Sequence, residues 1–352
     1  MLRFLITLLA CTAGGLLLKR LKVPGGMLVG ALIVAALLKV LTPYGYMPYA
    51  GRFAAQVAAG AYIGAMFDRE QLRSIRRVWK PYLMIMAFFL GANLLAGFLI
   101  WRTGACDLMT ALLCCVPGGM SDTPLIAADM GADVGTVAIL QFVRMVTGIV
   151  LMPSVIALLV PPASAAQEAG VQAEDAHKDT KPKTIPLAAV TVAIAAVGGW
   201  IGRVSGIPAG ILVGSMLSVI VMNLTYGRAY LPMPLKRAAQ ILSGAYIGCT
   251  LTRESILQLR HLIVPALIIL AVYVPMSLLC GWLNSRLFHR DRRESMLSAT
   301  PGGASDMALI AADLGVESAD LMVTQVLRMV SVVLIFPQLV YHLCALLGQL
   351  PG

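Results

Sequence analysis

Long apolar runs separated by short, polar and mostly basic stretches fill almost the whole chain. Runs such as 4–18, 27–40, 82–101, 146–160 and 262–283 approach or reach the ~17–25 residues an α-helix needs to cross a bilayer. They show no strict alternation of the kind a half-buried strand requires, so the pattern predicts helices. In the first half six segments are expected, at about 3–18, 25–42, 52–67, 81–101, 105–130 and 134–161. The fifth is interrupted.

The interruption is Pro117-Gly118-Gly119, within the stretch PGGMSDTPLIAADMGADVGTVAILQFVRMV at 117–146. It returns as PGGASDMALIAADLGVESADLMVTQVLRMV at 301–330, with half of the positions identical and a constant offset of 184 residues. Pro lacks an N–H and fixes φ, and Gly lacks a Cβ, so each copy ends a helix inside an apolar neighbourhood. The same offset joins VPGGMLVG at 23–30 to IPAGILVG at 207–214, GAYIG at 60–64 to GAYIG at 244–248, and Gln56 to Gln240. The chain therefore reads as two homologous halves, 1–161 and 185–352, joined by a hydrophilic linker at 162–184.

Composition agrees. Of 352 residues 59% are apolar and 12% charged, with mean hydropathy +0.84, against roughly 25% charged in soluble domains. The net charge of +10 suggests nucleic acid only until the basic residues are located. They sit mainly in short loops, the positive-inside pattern of membrane proteins, so no nucleic-acid partner is expected. The seven cysteines contain no CxxC and read as small buried hydrophobes. The N-terminal run resembles a signal peptide, yet residues 4–26 align with 188–210 at the repeat offset, so a retained first helix is expected.

Loop charge also orients the halves. In the first, Lys19, Arg20, Lys22, Arg69, Arg73, Arg76, Arg77 and Lys80 follow segments one and three, while only Arg52 and Arg102 follow two and four. In the second half the bias is reversed, with Arg228, Lys236, Arg237, Arg286, Arg290, Arg292 and Arg293 after segments two and four. Inverted repeats are expected, each with five crossings plus one re-entrant or broken segment. The tips would be Pro117, Gly118 and Gly119 in one half and Pro301, Gly302 and Gly303 in the other. The fold class is an all-α polytopic membrane protein.

Candidate chemistry gathers around the two breaks. Arg144 and Arg328 lie mid-segment, where an arginine costs roughly 2.5–3.5 kcal/mol on the lenient insertion scale unless a partner or cavity offsets it. Each is read either as half of an ion pair, with Asp122 or Asp129 in the first copy, or as an anion anchor through its planar fork. Gln141 and Gln325, three residues earlier, share the same helical face. Ser121, Asp122, Ser305 and Asp306 follow the breaks, either capping the next half-helix or binding substrate. The carboxylates Asp122, Asp129, Asp306 and Asp313 are candidates for a coupling ion, H⁺ or Na⁺. GAYIG reads as close helix packing, with Gln56 and Gln240 as polar residues able to face a cavity. The four histidines do not align across the repeat, and no metal spacing or catalytic motif is found.

The repeated PGG-x-S-D … Gln-x-x-Arg stretch resembles the signature of the AbrB family of bacterial inner-membrane proteins, over both halves. Members of that family carry inherited labels such as ammonia monooxygenase or regulator of gene expression. This chain has neither the metal ligands for the first nor a DNA-binding module for the second. Where the family pattern has Glu after the Ser, Asp122 and Asp306 stand here. The family is more distantly similar to cation/proton antiporters and anion symporters, which implies inverted repeats with broken helices and a transport role.

The expectation is a multi-pass secondary transporter of a small anionic solute in the bacterial inner membrane, coupled to H⁺ or Na⁺ and using no cofactor. Its substrate ligands would be Ser121, Asp122, Gln141, Arg144, Ser305, Asp306, Gln325 and Arg328. The alternative is a membrane sensor or regulatory scaffold that affects gene expression indirectly, with no catalytic activity. The partners are the bilayer, the solute and the coupling ion, with a homodimer left open.

Overall fold

The computed structural model describes residues 2–21, 23, 25–42, 44–160, 185–227, 229–251, 258–302 and 318–349. Among the described residues there are helices and turns and no strand. The first half contributes α1 (Leu2–Arg20), α2 (Gly26–Leu41), α3 (Tyr49–Met66), α4 (Arg69–Arg102), α5 (Leu108–Cys115), α6 (Thr123–Met130), α7 (Val134–Val146) and α8 (Met152–Leu159). The second contributes α9 (Ile185–Val204), α10 (Gly210–Tyr226), α11 (Met233–Thr250), α12 (Ile263–Phe288), α13 (Arg292–Ser298) and α14 (Ala319–Leu346). The linker expected at 162–184 lies outside the described residues.

Among the described residues five helices are long and apolar enough to cross a membrane, at Arg69–Arg102, Val134–Ile156, Pro186–Val204, Arg260–Phe288 and Asp320–Leu346. Their outer faces carry many large apolar side chains. On α4, Ile85, Phe89, Ala92 and Ala96 are buried at helical spacing while Leu83, Leu95 and Leu99 are exposed. A helix apolar all round has no stable place at a water surface, whereas lipid accepts its outer face. This is a multi-pass membrane protein.

Pro81 does not begin the fourth segment, as the apolar run suggested. The helix starts twelve residues earlier, at Arg69, because Asp68 accepts from the Glu70 and Gln71 N–H groups while the Gln71 side chain accepts from the Asp68 N–H. That capping box satisfies the first-turn donors and carries the helix through a basic stretch that had read as a loop.

The two GAYIG stretches let helices of different halves touch. An added Cβ on Gly60 would lie 2.7 Å from the Leu212 carbonyl on α10, and one on Gly244 would lie 2.4 Å from the Leu28 carbonyl on α2. Backbones approach this closely in lipid only across small residues. So α3 packs on α10 and α11 on α2, an exchange in which each half covers the other's second helix. The turns that open α2 and α10 are left-handed at Gly25 (φ 64) and Ala209 (φ 57). Glycine takes that conformation freely and alanine rarely does.

The breaks lie at the centre. All eight residues of α5 are buried, packed by α4, α7 and α14, and Asn93 on α4 donates to the Leu112 carbonyl at 2.9 Å. Irregular backbone inside a membrane protein must be covered by protein or face a polar cavity. Both conditions are met. One π-helical turn, Thr147–Leu151, joins α7 to α8, and a Cβ on its Gly148 would sit 2.5 Å from the Pro301 carbonyl. The second break therefore rests directly against the helix that follows the first.

Candidate functional site

A helix that stops inside the bundle leaves its last carbonyls without intrahelical partners. At the first break these are taken up from α7. The Gln141 side-chain N–H₂ lies 3.0 Å from the carbonyl of Leu113, 3.3 Å from that of Cys114 and 3.0 Å from that of Val116. Arg144 Nη1 donates to the Val116 carbonyl, and Nη2 to that of Gly118 at 2.6 Å. Tyr273, from α12, donates its hydroxyl to the Cys115 carbonyl.

The second break repeats the device. Gln325 on α14 donates to the Leu297 carbonyl at 3.2 Å, and Arg328 donates to Thr300 at 2.7 Å and to Gly302. Where Tyr273 serves the first break, its repeat counterpart Phe89 lies under the Arg328 guanidinium, 5.5 Å from ring centroid to Cζ. Phe89 and Tyr273 also stack on each other at 6.5 Å.

Arg144 is thus not ion-paired with Asp122 or Asp129. The guanidinium fork faces backbone carbonyls, which carry the partial negative charge of a helix C-terminus. Asp129 is instead bound by Arg52 on α3 and by Gln56, whose amide donates at 2.7 Å and also reaches the Leu125 carbonyl at 3.2 Å. Asp122 stands at the start of α6 without capping it. Among the described residues its side-chain partner is the Ser121 hydroxyl, which donates at 2.9 Å. The capping reading of Ser121 and Asp122 is therefore not realised, because the two side chains bond to each other.

What remains between the breaks is a cavity of ≈ 200 Å³. Pro117, Gly118, Gly119, Ser121, Asp122 and Arg144 reach it from the first copy, and Pro301, Gly302 and Arg328 from the second. Gln141 and Gln325 are buried behind this lining, on the carbonyls. Gly303, Ser305, Asp306 and Asp313 lie outside the described residues. No group of three or more His, Cys, Asp or Glu able to hold a metal occurs among the described residues.

Three lining residues were missed by reading the motif alone, namely Tyr62, Lys236 and Ser243. Lys236 Nζ donates to the Tyr62 hydroxyl at 2.6 Å and lies 4.0 Å from the centre of that ring. A signal existed in the sequence. Lys236, Gln240 and Ser243 are spaced i, i+4, i+7, one face of α11, and Gln240 had already been singled out. Lys236 was instead counted as a loop charge.

Several buried polar atoms around the cavity have no hydrogen-bond partner among the described residues, including Arg144 Nε, Arg328 Nε and Ser243 Oγ. Buried donors are rarely left unpaired. An occupant with acceptor oxygens would suit this lining.

A family model described as "AbrB: Transition state regulatory protein AbrB" matches residues 1–80 and 46–343. Over 352 aligned residues the chain is 24% identical to "Uncharacterized protein YhjN" of Bacillus subtilis (strain 168), covering 94% of this chain and 91% of that relative. Over 320 residues it is 27% identical to "Putative regulator AbrB" of Escherichia coli (strain K12), covering 89% of this chain and 88% of that relative.

Proposed function

This chain belongs to the AbrB family, and on that premise we propose that it is a secondary transporter of a small anionic solute, coupled to H⁺ or Na⁺. The observation that carries the reading is the cavity between the two broken segments, lined by Arg144, Arg328, Lys236 and Asp122. Charged side chains within membrane helices are costly and mark solute or ion pathways. Two broken segments meeting at a polar cavity are how secondary transporters build a central site.

The halves, 1–161 and 185–352, are inverted repeats about the linker at 162–184. The reciprocal packing of α2 on α11 and α3 on α10, and the stacking of the equivalent residues Phe89 and Tyr273, support a two-fold relation. The reversed loop charge supports opposite orientation in the membrane. Asp122 is the coupling-ion ligand, with the Ser121 hydroxyl beside it. The protein works in the bacterial inner membrane, in keeping with its bacterial relatives, and has no catalytic activity.

The test is electrical. Protein reconstituted in liposomes on a solid-supported membrane is exposed to jumps of acetate, lactate, succinate and inorganic phosphate, with pH and Na⁺ varied. Transient currents, or uptake of the radiolabelled anion where one-to-one coupling moves no net charge, are expected for at least one anion, dependent on pH or Na⁺ and absent from empty liposomes. The name of the Escherichia coli relative favours a second reading, a membrane sensor. Saturable binding of an anion with neither current nor uptake of the radiolabelled anion into liposomes under any gradient would replace transport with sensing.

A further inference from the structure

Among the described residues four cations at or beside the breaks and the cavity differ in what is left for a ligand. The Nη groups of Arg144 and Arg328 are held by the carbonyls of the two breaks. Arg52 is held by Asp129. Lys236 is held by one neutral hydroxyl, that of Tyr62, and has no carboxylate within ion-pair distance among the described residues. An ammonium has three donors, so two remain. The Tyr62 oxygen accepts from Lys236, which leaves the phenolic hydrogen free to donate. The Ser243 hydroxyl, two turns along the same face of α11, is buried without a partner. All three line the cavity.

The equivalent stripe in the other half is Arg52, Gln56 and Ala59. Its first two residues are occupied by Asp129, and the third has no hydroxyl. The repeat counterpart of Asp129 is Asp313, outside the described residues; among the described residues the donor-rich corner is on the α11 side.

We propose that Lys236, Tyr62 and Ser243 form the anion-recognition corner of the cavity and bind the carboxylate of a small solute, while Arg144 and Arg328 are structural caps of the broken helices. This rests on the reading of the cavity as the solute site, and it adds the substrate class and the residues that select it. Size narrows the class. A volume of ≈ 200 Å³ holds about seven waters at ~30 Å³ each and falls short of the ~300 Å³ where clefts for drug-sized ligands begin. Solutes the size of lactate or succinate fit.

Binding of lactate and of succinate to purified protein is measured by thermal shift at constant ionic strength, with sodium chloride as the control. Wild type is expected to be stabilised by at least one of the two. Lys236→Arg should bind comparably. Lys236→Gln should bind at least about tenfold more weakly, the loss of a charge-assisted hydrogen bond, while keeping its unliganded Tm. Ser243→Ala should bind more weakly by a smaller factor. In unmodified protein, the bound carboxylate should protect Lys236 from reductive methylation, read by mass spectrometry, so the test stands even if a variant fails to fold.

Equal binding by Lys236→Gln and wild type, or Lys236 methylated at the same rate with and without saturating carboxylate, would overturn the inference. So would a wild type that binds neither carboxylate. Currents driven by phosphate alone would overturn the carboxylate class and leave transport standing. Transport itself fails only if no anion produces a current or enters the liposomes as a radiolabelled tracer.

Discussion

The Arg144 guanidinium donates to the carbonyl of Gly118, 26 residues earlier, at 2.6 Å, and Arg328 makes the same contact with Gly302. This accounts for the co-occurrence of Pro-Gly-Gly and Gln-x-x-Arg in both halves. The first element breaks a buried helix and the second satisfies the carbonyls that the break exposes. Replacing Arg144 by Met should leave the Gly118 carbonyl without a donor, at about 1–3 kcal/mol, while the Val116 carbonyl keeps Gln141 and the Gly118 N–H. A Tm of detergent-purified R144M equal to that of wild type would exclude the capping role.

The glutamines should differ in weight. Gln141 lies within reach of three carbonyls, of which, among the described residues, those of Leu113 and Val116 have further donors and that of Cys114 does not, whereas Gln325 reaches only that of Leu297, which also accepts from the Thr300 N–H. Gln141→Leu is therefore expected to lower stability more than Gln325→Leu, with about 1–3 kcal/mol for each carbonyl left unpaired. Thermal unfolding of the two variants side by side checks the order, and the reverse order would count against it.

Close packing between the halves depends on missing side chains. Gly244→Ala would place a Cβ 2.4 Å from the Leu28 carbonyl and should cost about 1–3 kcal/mol through overpacking. Gly91 is the contrasting position, since the nearest atom to an added Cβ is Met276 Cε at 3.8 Å. Gly91→Ala should stabilise α4 by about 0.5–1 kcal/mol. Equal effects at the two sites would argue against a tight α2–α11 contact.

Arg52 and Asp129 are both largely buried, with side chains 11% and 15% exposed. Asp129→Asn leaves the guanidinium without its counter-charge and should cost about 3–5 kcal/mol. The double variant Arg52→Met/Asp129→Leu removes both charges and should recover part of that loss. A double variant less stable than Asp129→Asn would contradict the pairing as the source of the effect.

Asp122 bears on coupling rather than on the fold, because its carboxylate faces the cavity and holds no backbone group. Asp122→Asn should keep anion binding and lose the pH or Na⁺ dependence of the current. Solid-supported-membrane currents over a pH series, at fixed anion concentration, provide the measurement. An unaltered dependence would remove Asp122 from the coupling step.

Much of this protein is legible in one dimension. Apolar runs of spanning length, the sparse charge, the duplication and the two breaks depend on residues near each other in sequence or on alignment of the chain with itself. Helix length and the lost N–H of Pro117 and Pro301 follow from local covalent chemistry. The start of α4 was misread although its signal was local too. Asp68 and Gln71 form a capping box that outweighed the basic stretch and Pro81.

Partner choice belongs to the tertiary structure. A lone arginine in an apolar segment invites a carboxylate, and Asp122 and Asp129 of the same repeated stretch were the candidates. Arg144 instead meets carbonyls, since α7 crosses the end of α5 where a helix C-terminus already concentrates negative charge. Asp129 meets Arg52 because the long Arg52 and Gln56 side chains of α3 reach Asp129 and the Leu125 carbonyl on α6. Lys236 enters the cavity because α11 packs across the repeat boundary on α2. These are contacts between residues about 26 to 174 positions apart, set by which backbones can approach at glycine. No local pattern encodes that exchange, so the sequence named the charged residues and the packing of one half upon the other chose what each would hold.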